Sequence, residues 1–153
     1  MKKILTLLFT LPFLVGCKEP EYNGYKLKVE KDESGELTLA DPNILYETAI
    51  TNKKECVFYI GDDTCSACQK LKPQLEAWVK AFKGKIYYIP LESITTENVQ
   101  KLYDATTDDT GYYQWGDDSS VPTTYFFSAG FVVFRGNSTD TMTLLNRYVT
   151  VEE

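Results

Sequence analysis

The residues best placed for chemistry are Cys65-Ser66-Ala67-Cys68, which follow Gly61-Asp62-Asp63-Thr64 and precede Gln69-Lys70. Two intervening residues let the second sulfur reach the first. A thiol at a strand-to-helix turn lies beside N–H groups that have no intrahelical partner. Their partial positive charge favours the thiolate, the nucleophilic form of cysteine. The pair therefore predicts a redox-active dithiol. Asp62 and Asp63 pull the other way, because nearby carboxylates disfavour a further negative charge. Other chemistries fit less well. Zinc needs about four ligands, whereas the only further cysteine of the body of the chain is Cys56 and there is no histidine. No metal site is expected. The lack of histidine also removes Ser-His and Cys-His catalysis. Asp108, Asp109, Asp117 and Asp118 do not match a calcium-loop spacing and read as a solvated loop. An inert structural disulfide is the plain alternative for the C-x-x-C pair, and a buried small hydrophobe the plain reading of Cys56.

The flanking stretches must hold the pair in place. Cys56 to Ile60 is a continuous apolar run rich in β-formers, which suits a central strand covered on both faces. Gly61 then permits a sharp exit. After Cys65 the period becomes helical, with Leu71, Leu75, Trp78, Val79 and Phe82 on one stripe. Cys68 lies one helical step before Leu71 and should be shielded, whereas Cys65 at the tip should be exposed. That asymmetry supplies an accessible attacker and a protected resolver. Pro73 predicts a kink in this helix, and Gly84 its end.

Upstream, Asp41 as N-cap and Pro42 at the first position predict a helix over 42–52. Lys26–Glu30 and Glu36–Leu39 alternate polar and apolar residues around the turn signal Asp32-Glu33-Ser34-Gly35, which predicts an N-terminal edge hairpin. Downstream, 85–90 reads as a second central strand and 95–105 as a short helix begun by Ser or Thr. Residues 106–120 form an acidic loop carrying Tyr112, Tyr113 and Trp115. These aromatics either pack on the core or form a platform for an extended peptide. Thr124–Phe127 and Phe131–Phe134 read as strands joined by the turn Ser128-Ala129-Gly130. A last helix would bury Met142, Leu145 and Val149. The alternation predicts an α/β fold whose central mixed sheet is flanked by helices, its first two strands parallel and its last two antiparallel.

The chain has 153 residues, enough for one domain, and 43% hydrophobic content makes a disordered body untenable. Residues 1–16 read as a signal peptide: Lys2 and Lys3, then an apolar run from Ile4 to Val15 too short to span a bilayer. Leu14-Val15-Gly16-Cys17 resembles the lipobox of bacterial lipoproteins, in which the cysteine is lipidated and becomes the new N-terminus. Cys17 is thus the expected lipid attachment site. Residues 17–40 would comprise the lipidated cysteine, a tether and the edge hairpin, and 41–153 the folded domain. Loss of residues 1–16 takes the net charge from −6 to −8, which argues against a nucleic-acid partner. The expected location is a membrane surface outside the cytoplasm, with the protein lipid-anchored, where disulfides persist.

The element order and three motifs over about 41–150 resemble the thioredoxin superfamily. The C-x-x-C opens a helix directly after a buried strand. Pro73 falls five residues past Cys68, at the family's kink proline. Val121-Pro122-Thr123 with the following hairpin is similar to the family's cis-proline segment. The resemblance implies thiol–disulfide exchange by Cys65 and Cys68 without metal or organic cofactor. It also implies a cis Pro122 facing the dithiol, and substrate contacts at Val121, Pro122 and Thr64. The partners implied are extracytoplasmic proteins or peptides with thiols or disulfides, together with a membrane redox partner. Thr64 stands where thioredoxin has Trp, Ser66-Ala67 where it has Gly-Pro, and Tyr59 where it has a buried acid. The direction of the reaction, whether reduction, oxidation or isomerisation, is left open by these departures. The resemblance also admits a non-catalytic role, as an accessory protein binding a secreted peptide or export system through the 107–122 loop.

Overall fold

The computed structural model describes residues 26–116 and 119–153. The signal peptide, Cys17 and the tether to Tyr25 lie outside the described residues, as do Asp117 and Asp118 of the acidic loop. Among the described residues, no helix is long and apolar enough to cross a membrane.

The site is carried by strand β3 (Cys56–Gly61), buried at every residue, and helix α2 (Ser66–Phe82) that follows it. Period-two alternation divides β3 between two cores. Val57 and Tyr59 join Leu71, Leu75, Trp78 and Val79 on the α2 side. Cys56, Phe58 and Ile60 face the opposite side, where they meet helix α1 (Pro42–Leu45) and helix α3 (Val99–Thr106). A strand apolar on both faces is thus explained by helices on both faces.

Strand β4 (Tyr87–Pro90) pairs parallel to β3, and strand β5 (Thr123–Ser128) pairs antiparallel to it. Strand β6 (Phe131–Gly136) returns antiparallel beside β5, and strand β2 (Thr38–Leu39) lies parallel to β4, so the sheet runs β2-β4-β3-β5-β6. The mixed sheet and its closing hairpin agree with the sequence reading. Asp41 caps α1 by accepting from the Ile44 N–H at 2.9 Å. After a single α turn, Tyr46–Thr51 widens to a π-helix.

Several expectations are corrected. The two N-terminal stretches do form strands, and Asp32 accepts from the Ser34 N–H at the turn between them, but they do not pair as a hairpin. Strand β1 (Leu27–Val29) instead runs parallel to strand β7 (Val149–Val151), forming a separate two-stranded sheet. The reason is burial: Leu27 and Val29 insert into the α2-side core. Val149 accordingly begins a strand, and the last helix, α4, covers Thr141–Tyr148 alone. Helix α3 starts at Val99, after Asn98 accepts from the Thr95 N–H at 2.8 Å. Helix α2 ends on Lys83 in the left-handed conformation (φ 58°) rather than on glycine. Gly84 is needed for space, since a Cβ there would lie 2.7 Å from both Trp78 and Val151.

Candidate active site: a dithiol at a helix tip

Cys65 is the N-cap of α2, with extended backbone (φ −80°, ψ 127°). Its sulfur accepts from the Cys68 N–H at 3.2 Å, so an N–H of the first turn that has no intrahelical partner points at it. Cys65 is half-buried, whereas Cys68, one turn in, is 2% exposed. Both are free thiols, and the sulfur of Cys68 accepts from the Asp62 N–H at 3.5 Å. Burial, and then the hydrogen bond with Cys65, raise the Cys68 thiol above its ordinary range. Pro73 lies within the helix behind the pair.

The wall opposite comes from the segment before β5. The Val121–Pro122 peptide is cis, and the Cys65 thiol donates to the Val121 carbonyl at 3.7 Å. Residues 56 positions apart in sequence thus meet across the site. Thr64 is exposed and lies beside Cys65 in the chain; its N–H and hydroxyl both donate to the Asp62 carboxylate, at 3.0 and 2.9 Å. These two bonds hold the Asp62 carboxyl below its ordinary range.

The two acids before Cys65 are therefore engaged, which the sequence reading did not foresee. Asp63 forms an ion pair with Lys72 at 3.0 Å and accepts from the Tyr88 hydroxyl at 3.4 Å. Lys72 also sits over the Tyr88 ring, 4.4 Å from its centroid. Its position two helical turns past Cys65 is the one sequence signal that could have found it.

Two hollows flank the dithiol. One, of about 390 Å³, is lined by Asp62, Asp63, Thr64, Tyr88 and Glu92 among others. The other, of about 270 Å³, lies beside Pro122 with Tyr112 and Arg135 on its walls. The loop aromatics differ in burial. Trp115 is buried and Tyr113 packs on the core, whereas Tyr112 is 75% exposed. The loop is pinned from below. The Trp115 N–H donates to the Thr106 hydroxyl at 2.8 Å, and the Tyr125 hydroxyl donates to the Tyr113 carbonyl at 2.8 Å.

Cys56 does not join the site. It lies in the opposite core, and burial pushes its thiol up to about 12. Iodoacetamide at mildly alkaline pH is expected to alkylate Cys65 of the native reduced protein and to spare Cys56. Peptide mass mapping checks this, and comparable labelling at Cys56 would refute its inertness.

No family model matches the sequence, and comparison with curated proteins finds no match. Solved structures do align. Thioredoxin O1 from Arabidopsis thaliana, crystallised oxidised, is 19% identical over 72% of this chain and 93% of its own, with a TM-score of 0.52. Thioredoxin O2 from the same plant gives 15% identity, 75% and 96% coverage and a TM-score of 0.53. The long form of spinach chloroplast thioredoxin f gives 16%, 74% and 84%, and 0.51. Likeness at such low identity speaks for architecture alone, and the architecture of this chain is the thioredoxin fold.

Proposed function

We propose that the protein is a thiol–disulfide oxidoreductase acting on extracytoplasmic proteins or peptides through Cys65 and Cys68. The observation that carries this reading is the asymmetry at the tip of α2. One half-buried sulfur receives a helix N–H and faces the carbonyl of Val121, the residue before the cis proline, at 3.7 Å, while its partner is buried behind it. Run toward reduction, the Cys65 thiolate attacks a substrate disulfide, forming a mixed disulfide and expelling the first substrate thiolate. Cys68 then attacks Cys65, closing the internal disulfide and expelling the second. Thr64, Val121 and Pro122 receive the substrate chain, between the two hollows. The basic start, apolar run and Gly16-Cys17 support removal of residues 1–16 and anchoring by lipid on Cys17, with the folded part of the chain, β1 and β2 included, as the catalytic domain and a membrane protein as redox partner.

The full chain with dithiothreitol is expected to accelerate insulin precipitation, and Cys65→Ala to return the rate to the dithiothreitol background. An inactive wild type would remove the enzyme reading. Labelling with a palmitate analogue, lost in Cys17→Ser, tests the anchor. The exposure of Tyr112 beside the Pro122 hollow favours one second reading, an accessory protein that binds a secreted peptide. A Cys65→Ala/Cys68→Ala strain that behaves as wild type, unlike a deletion strain, would select it.

A further inference from the structure

Tyr59 lies on β3, fully buried, with its ring stacked on Tyr88 at 5.3 Å between centroids. Its hydroxyl makes no formed hydrogen bond, although buried hydroxyls ordinarily have a partner. Gly61 provides the notch for this oxygen, because a Cβ there would collide with the Tyr59 hydroxyl. The group the hydroxyl faces is Cys68: the oxygen fills the space beside Gly61, the Cys68 sulfur accepts from the N–H of the next residue, Asp62, at 3.5 Å, and each of the two side chains shifts the ionisation of the other. A neutral thiol is a weak acceptor, and a thiolate is a strong one. The orphaned hydroxyl is therefore matched to a state of Cys68 that arises only during turnover.

We propose that the Tyr59 hydroxyl is a donor held in reserve for the Cys68 thiolate, making Tyr59 a positioning residue for the resolving step. This rests on the dithiol reading above. In that step the Cys68 thiolate attacks the Cys65 sulfur of the mixed disulfide. The Cys65–Cys68 bond forms, the Cys65–substrate bond breaks, and the substrate sulfur leaves with the electron pair and takes a proton from water. The protein dithiol is oxidised and the substrate disulfide reduced. Tyr59 keeps its proton throughout, because burial holds its phenol far above the ordinary range; it acts as donor and not as base. The other ionisable groups around the pair are Cys65, Tyr88 on β4, and Asp62 and Asp63 of the loop, the last neutralised by Lys72 of α2. On β5 the residue opposite Tyr59 is Thr124, which does not ionise.

The test uses the full chain with Cys17→Ser and the aromatic disulfide dithiobis(nitrobenzoate). Cys65 takes one thionitrobenzoate group and Cys68 then releases it, so the second phase of colour is the resolving step. Tyr59→Phe is expected to slow that phase about fivefold at neutral pH, the weight of one net hydrogen bond. In the Cys65→Ala background it should also move the Cys68 ionisation midpoint, followed by cysteine ¹³Cβ shifts, to higher pH. Tyr87→Phe, a buried ring facing the opposite core, should change neither. A folded Tyr59→Phe protein with wild-type release and midpoint overturns the proposal while leaving the dithiol reading intact. A wild type that never releases the second group overturns both.

Discussion

In a Cys68→Ala variant, Cys65 remains joined to its substrates. Non-reducing electrophoresis of cells expressing it is expected to show adducts of higher mass that collapse on reduction. They should be absent from the Cys65→Ala and double variants, and insulin turnover should fall to background. Persistence of the adduct follows from the geometry. Cys68 is the one described thiol on the Cys65 side of the sheet, because Cys56 belongs to the opposite core and is held protonated by burial. Removal of Cys68 therefore leaves no internal thiol nucleophile among the described residues. The same geometry fixes a pH dependence. The attacking form of Cys68 is the thiolate, and burial raises its thiol, so below its midpoint the reactive fraction grows about tenfold per pH unit. In the wild type the mixed disulfide should be longest-lived in acid and fade as pH rises. In Cys68→Ala its lifetime should lack that dependence. Adducts that form equally well through Cys56, or that Cys65→Ala leaves in place, would defeat the assignment of roles.

What the sequence made legible was the local part of this arrangement. The apolar run at 56–60, the helical stripe behind Cys65 and the Val-Pro-Thr segment each declare themselves within a few residues, because period and turn chemistry are short-range signals. Long-range pairing was not legible. Val149 continues the spacing of Leu145 and reads as helix, yet with Thr150 and Val151 it forms a strand because Leu27–Val29, more than a hundred residues away, supplies the partner. The Asp32–Gly35 turn was read correctly, but its flanking strands find β7 and β4 instead of each other. At the site, the order of the two sulfurs, Cys65 the more accessible and Cys68 shielded, followed from helix spacing, although Cys65 is half-buried where exposure was expected. The roles of Lys72 and Tyr88 depended on which side chains reach Asp63 across the fold. Gly61 was legible as a glycine, but for a different reason from the one the structure gives.

Gly61→Ala is expected to destabilise the protein by about 3 kcal/mol, as overpacking of a closed core does. Gly61 is not among the glycines with positive φ, so conformational freedom does not explain it. Space does: a Cβ there would fall onto the Tyr59 hydroxyl and within 2.5 Å of its ring carbon Cζ. Neither partner can retreat. Gly61 is paired with Pro90 and its neighbour Ile60 with Thr123, so the strand is held on both sides. Tyr59 is fully buried against Tyr88 and the α2 core. Tyr59→Phe should relieve little of the loss, because the ring carbon also collides. Tyr59→Val removes the ring, so the double variant Gly61→Ala/Tyr59→Val should be more stable than the sum of the two single losses allows, a coupling that urea unfolding measures. If Gly61 instead served only the chain's exit from β3, Tyr59→Val would leave the cost of the alanine unchanged and the cycle would close with no coupling. A favourable coupling would tie the glycine to the phenol, and so tie the strand that leads into the C-x-x-C to the hydroxyl that faces its second sulfur.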